Sequence, residues 1–267
     1  MPLFSIFTIF SIIFLSFCLG WVVELDPYTL NADTILQQPS FEHIFGTDRL
    51  GRDIFSRVIE GGQTSLIIGF GSALVTTFLG FMLGSLAGFF RGFVDKTFVV
   101  LVDLFLTFPT FFLLLTLVSY VNASTFLLIF IISITGWMGV ARLIRAESFK
   151  IFSAPYIKIL NIAKVSKLKI LLKYYAPLLA PIFLVSFTFS VAGSILAESG
   201  LSFLGLGIVP PQISWGTMLN DGKSVIQIAW WVSFFPGLMI FLVTFSLINI
   251  SNYLQQKTNQ KEVKVVS

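Results

Sequence analysis

The chain has 267 residues, of which 56% are hydrophobic and only 11% charged, with a formal net charge of +4. Soluble domains carry about 25% charged residues, so a water-facing fold of this size is excluded and the chain reads as a polytopic membrane protein. One cysteine and one histidine rule out an internal disulfide and a multi-cysteine zinc site, and leave little material for a transition-metal cage.

A bilayer core takes roughly 20 apolar residues per helix, and six such runs follow in chain order. The first covers residues 3–23. It could be a signal peptide, but it has no basic stretch before it, and Trp21-Val22-Val23 lacks the small-residue cleavage pattern. It is expected to be a retained helix, with Cys18 an inert core thiol. The segment at 24–60 carries seven acids against Arg49, Arg52 and Arg57. Within it, GTDRLGRD at 46–53 alternates Asp48 and Asp53 with Arg49 and Arg52, so internal ion pairs are easy to form. A phosphate cradle does not fit, since no strand precedes and no Gly-Lys-Ser/Thr follows.

The second run covers 65–90, where Gly69, Gly71, Gly80, Gly84 and Gly88 permit close helix contacts. The third covers 98–121 and holds Asp103. Intramembrane acids are costly and face a cavity or a partner, so Asp103 is either a pathway or subunit-contact residue or a hydrogen-bonded packing group. The fourth covers 125–140 and the fifth 178–197. Glu198 follows, then a segment with glycines at 200, 205 and 207 that suits a re-entrant or tightly packed hairpin. Glu198, Ser202 and Phe203 are therefore gate candidates, with structural packing as the competing reading. The sixth run covers 229–248. Pro109, Pro181 and Pro236 lie in or near these spans, where neighbouring helices tolerate them. Trp215, Trp230 and Trp231 fit an interfacial aromatic belt.

Between the fourth and fifth runs, YIKILNIAKVSKLKILLKYYAP at 156–177 holds five lysines, no acid and no arginine. Its apolar spacing predicts two short amphipathic helices joined near 164–166, the second closed by Ala176-Pro177. Nucleic-acid binding would favour arginine, so a lipid surface and a soluble partner remain. Of the 17 basic residues, only Arg49, Arg52, Arg57 and Lys223 fall on the side opposite this segment. The positive-inside rule then puts both termini and the basic loop in the cytoplasm.

Three segments resemble the inner-membrane permeases of ABC importers, in the dipeptide/oligopeptide/nickel branch: HIFGTDRLGRDIFSRVIEGGQTSLIIGF at 43–70, ILAESGLSFLGLGIVPPQISWGTMLNDGKS at 195–224 and WWVSFFPGLMIFLVTFSLINISNYL at 230–254. The resemblance implies an all-α, six-helix permease of the type-1 ABC importer fold in the inner membrane. It also implies a homologous second permease, two ATP-binding subunits and an extracytoplasmic solute-binding protein as partners, the last facing Asp48, Arg49, Arg52 and Asp53. The expected division is an N-terminal helix at 1–24, an extracytoplasmic segment at 25–63, a permease core at 64–254 with a coupling loop at 146–177, and a tail at 255–267.

In such families the coupling loop carries Glu-Ala-Ala, three residues, then Gly. Here Lys158 stands at the Glu position, Ile159 and Leu160 at the two Ala positions and Lys164 at the Gly position, while Ser166 and Leu168 match. Tyr156, Lys158, Ala163, Lys164, Ser166, Lys167 and Leu168 are thus the expected ATPase contacts. Because the turn lacks its glycine, it is expected to take a different form or to be strained. No catalytic set can be built around the single histidine and no Walker loop is present, so no cofactor is expected on this chain and ATP belongs to partners. The implied cargo is a small peptide or chelated nickel. The rival, a stand-alone secondary transporter or channel, predicts an internal repeat and more buried ions.

Overall fold

The computed structural model describes residues 2–120 and 124–266, without the side chains of Tyr156, Lys158, Asn161 and residues 259–266. Among the described residues the regular structure is helical: α1 Leu3–Cys18, α2 Ile54–Phe90, α3 Gly92–Leu106, α4 Thr110–Ser119, α5 Thr125–Phe152, α6 Pro155–Ile162, α7 Lys167–Lys169, α8 Ala176–Phe203, α9 Trp215–Lys223 and α10 Trp231–Val266. Five helical stretches are long and apolar enough to cross a membrane, and α3 with α4 makes a sixth if that bent pair is one span. Only helices and closed barrels satisfy every backbone group in lipid, which is why hydropathy runs become helices here.

The helices overrun the apolar runs. α2 begins at Ile54 because Asp53 accepts a hydrogen bond from Ser56 N at 2.8 Å, capping three turns of helix above the run at 65–90. α5 continues past residue 140 to Phe152. The third run is broken rather than straight, with α3 and α4 meeting at 73°. Pro109 sits at the N-cap of α4, where its missing N–H costs nothing and its ring prevents α3 from continuing. The end of that run at Val121 lies outside the described residues.

α2 is the axis of the bundle, lying between α5 and α8. A Cβ on Gly84 would lie 2.4 Å from the carbonyl oxygen of Ala141 on α5, and one on Gly69 2.4 Å from Ile195 Cγ1 on α8. The glycines of the second run therefore let backbones approach, as small residues do between membrane helices. α1, α2, α8 and α10 share an apolar core of Ile12, Leu66, Ala73, Val191, Ile195, Val243 and Leu247.

Three readings are corrected. Trp215 and Trp231 are 1% and 3% exposed, their indole N–H groups donating to Val58 O at 2.9 Å and Thr47 O at 3.1 Å. They anchor the core, and of these three tryptophans Trp230 alone is exposed. Cys18 is exposed at the end of α1, not a core thiol. Ala176-Pro177 does not end a helix. α7 runs through a π turn at Ile170–Tyr175 straight into α8. A proline crowds the carbonyl four residues back, and the wider i→i+5 turn stands where that crowding would arise.

Candidate functional site

Polar and charged groups gather in three places: a cap at one end of the bundle, the basic segment at the other, and an ion pair between α3 and α5.

In the cap, Gly46 and Gly51 have φ of +76° and +73°, which glycine reaches without strain. A Cβ on Gly51 would stand 1.8 Å from Asn31 O. The two glycines fold 46–53 so that Asp48 points inward, 2% exposed. Its Oδ2 accepts from Arg52 Nε at 2.7 Å and lies 3.6 Å from Arg57 Nε, while Oδ1 accepts from Leu50 N and Arg52 N. Asp221 on α9 completes the cluster: its Oδ2 takes Arg52 Nη2 at 3.3 Å and Arg57 Nη2 at 3.2 Å, and Arg49 Nη2 is 3.6 Å from Oδ1. Asp53 caps α2 and pairs with His43 Nδ1 at 3.0 Å. Of the four residues expected to face a binding protein, Asp48, Arg52 and Asp53 are turned into this network, and Arg49 alone is half exposed. Outside the network, the carboxylate of Asp26 accepts from Thr29 and from the N–H of Tyr28, and the Thr29 hydrogen bonds lower its pKa.

Beside the cap, Glu198 is fully buried. It accepts from Ser202 Oγ at 2.7 Å, Ser65 Oγ at 3.3 Å and Ser199 Oγ at 3.4 Å. Ser65 in turn accepts from Trp215 N at 3.1 Å, so one carboxyl group joins α2, α8 and the start of α9. Gly207 lies so close to Ser202 that a Cβ would meet its Oγ at 1.8 Å, which packs the hairpin onto α8. Ser202 is buried, and Phe203 is 38% exposed with Lys223 over its ring. Glu198 and Ser202 are buried and hydrogen-bonded to each other, and of the three only Phe203 faces outward.

At the other end, α6 stops at a left-handed turn. Lys164 has φ +56° and Val165 N donates to Leu160 O at 3.2 Å, the bond of a Schellman cap. The turn that glycine favours is thus kept with lysine in it, and the strained alternative is the one adopted. Ile157, Ile170 and Tyr175 are fully buried against Phe89, Ile144 and Leu179, and Tyr175 Oη donates to Ser148 O at 3.0 Å. Ala163, Lys164, Ser166, Lys167, Leu168, Lys169 and Lys173 are exposed, as are Ile159, Ile162 and Leu172. The side chains of Tyr156 and Lys158 lie outside the described residues.

Asp103 pairs with Arg142, and both are about half exposed. Arg142 reads in sequence as the start of a cytoplasmic loop, but it lies inside α5. Next to it, Arg145 holds Asp95 through Nε and Nη2, the latter at 2.8 Å, and stacks on Phe149. Asp221, Ser65 and Arg142 join these clusters without being among the residues that the sequence pattern marks as site candidates. For Asp221 a signal existed: an acid in a glycine-rich segment of a chain whose cap holds three arginines. Ser65 has none, because a serine at the head of an apolar run resembles many others.

Residues 80–260 match the family described as binding-protein-dependent transport system inner membrane component. The dipeptide transport system permease protein DppC of Bacillus subtilis is 32% identical over 241 residues, which is 89% of this chain and 75% of that protein. The oligopeptide transport system permease protein OppC of Mycobacterium tuberculosis is 32% identical over 222 residues, 81% of this chain and 76% of that protein. A putative peptide transport system permease protein of Brucella suis is 34% identical over 221 residues, covering 82% and 74%. The chain belongs to this family of inner-membrane transport components. It is a multi-pass inner-membrane protein with the fold of a type-1 ABC importer permease.

Proposed function

We propose that the chain is the translocation subunit of an ATP-driven, binding-protein-dependent importer of short peptides, with both termini and the basic segment in the cytoplasm. The observation that carries this reading is the two-faced build of residues 155–175. One face is packed into the ends of α2, α5 and α8 through Phe89, Ile144 and Leu179. The other presents lysines together with Ile159, Ile162 and Leu168. A partner that moves this exposed face moves three membrane helices, which is what coupling ATP-driven closure to alternating access requires.

The partners in this reading are a homologous second permease, two ATP-binding subunits and a solute-binding protein, with ATP bound by the partners and no cofactor on this chain. Lys164, Lys167 and Leu168 head the docking face, with Ala163 and Ser166 beside them, and Tyr156 and Lys158 are assigned to it by position. Arg49 is the residue of the cap presented to the binding protein. Peptide is favoured over chelated nickel as cargo by the names of the relatives.

Co-purification with candidate ATP-binding subunits, followed by ATPase assays with loaded binding protein, tests the reading. Stimulated hydrolysis is expected, and failure to recover any ATP-binding subunit overturns it.

A further inference from the structure

Asp103 lies inside the third apolar run, and Arg142 stands two residues past the end of the fourth, where α5 overruns it. At about 1.5 Å per residue, Arg142 stands about 15 Å in from the end of α5 at Phe152. Both side chains are about half exposed, 53% for Arg142 and 56% for Asp103. An acid inside an apolar run, as Asp103 is, faces a water-filled cavity or a partner rather than lipid. One turn beyond Asp103 the backbone breaks at Thr107, Phe108 and Pro109, all exposed. Irregular backbone in a membrane is tolerated only where protein covers it or where it lines a water-filled cavity. Two independent features therefore mark the same face of α3 and α5 as turned away from lipid.

A cavity of about 320 Å³ opens on that face, lined by Phe98, Val99, Val102, Asp103, Arg142 and Arg145. Its charges balance: Arg145 is held by Asp95 at two points and Arg142 meets Asp103 through a single nitrogen, Nη2, on Oδ1. Among the described residues no further hydrogen bond within the chain reaches the other N–H groups of Arg142 or Oδ2 of Asp103, and the neighbouring Arg145 also attracts the Asp103 carboxylate. A neutral site with one spare set of donors beside one spare anionic acceptor suits a ligand that carries both charges. An ion of single sign would be repelled by the like-charged member of the pair.

We propose that this cavity is a station for the charged ends of a zwitterionic short peptide. A terminal carboxylate is received by the spare N–H groups of Arg142 and a terminal ammonium by Oδ2 of Asp103, with Phe98, Val99 and Val102 forming the apolar wall. The station rests on the peptide-importer reading and adds a binding site on this chain to it.

The test uses the assembled complex in nanodiscs without the binding protein. Equilibrium binding of radiolabelled trialanine is measured, with N-acetyl-trialanine and trialanine amide as competitors. Saturable binding is expected, with each blocked peptide competing at least tenfold more weakly than trialanine. Arg142→Gln and Asp103→Asn should each weaken trialanine binding at least tenfold. Arg142→Gln should also lose the distinction between acid and amide, and Asp103→Asn that between amine and acetyl. Variants are compared at wild-type yield of co-purified partners. If a single variant fails to assemble, Asp103→Asn/Arg142→Gln, which leaves no lone charge, is read for loss of both distinctions.

Equal competition by blocked and free peptides, or variants that bind as wild type does, would overturn the station. Import is measured in parallel in proteoliposomes with binding protein and ATP. Import by a wild-type complex that shows no saturable binding overturns the station and leaves the importer. Absence of both import and ATPase stimulation overturns the importer, and the station falls with it.

Discussion

At the cap, Asp48, Arg52, Arg57 and Asp221 turn their charges on one another, and Glu198 is enclosed by serines from two helices. At the basic end, Ile157, Ile170 and Tyr175 turn inward while Lys164, Lys167, Lys169 and Lys173 turn outward. The cap holds its polar groups satisfied inside the chain and presents few of them. The basic end holds itself by apolar burial and leaves its polar groups to something else. A region that satisfies its own charges is a fixed part, and one that exports them is a contact surface.

The sharpest way to break this contrast is to strike the cap at one carboxylate. Asp48→Ala removes the most deeply buried carboxylate of the cluster and leaves Arg52 and Arg57, the latter 4% exposed, to share Asp221 alone. Removing one member of a buried pair costs about 3–5 kcal/mol, so a marked fall in the thermal midpoint of the detergent-purified chain is expected. A midpoint equal to wild type would mean that the cap is not held by charge. At the basic end, truncating a buried apolar side chain should matter and truncating an exposed one should not. Ile170→Ala should cost about 2–5 kcal/mol. Leu168→Ala, at a side chain 67% exposed, should leave the midpoint unchanged while weakening recovery of the ATP-binding subunit.

Glu198 offers a smaller and more discriminating test. Glu198→Ala strips the serine hydroxyls of their shared acceptor, at about 1–3 kcal/mol. Glu198→Gln, which keeps an acceptor and the shape, should retain most of the stability. Equal losses would show that the charge, and not the hydrogen bonds, holds α2, α8 and α9 together. The smallest effect has the opposite sign. Lys164→Gly removes a Cβ from a left-handed residue, where L side chains cost about 1–2 kcal/mol, so the turn should be stabilised by about 1 kcal/mol. A loss of stability would show that the lysine is held there by a favourable contact. Retained stability with lost ATPase stimulation would assign the lysine to the partner.

Much of the scaffold was legible in the sequence. The apolar runs marked the membrane helices, the glycines of the second run marked the α2 contacts, and the join near 164–166 marked the end of α6. What misled were residues whose type permits two environments. A tryptophan suits an interfacial belt or a core, and Trp215 and Trp231 found hydrogen-bond acceptors at Val58 and Thr47, far away in the chain. Ala176-Pro177 reads as a stop because a proline breaks an ideal helix, and the π turn before it changes that condition.

The residues by themselves determined class, span positions and the concentration of positive charge on one segment. These follow from composition and local spacing, since a backbone in lipid must satisfy its hydrogen bonds within each run. Only the tertiary structure decided which charges meet. Asp48 and Asp221 share Arg57, Ser65 reaches Glu198, and Arg142 finds Asp103 because packing brings together helices distant in sequence. An ion pair depends on a distance of a few ångströms, and no local pattern contains that distance.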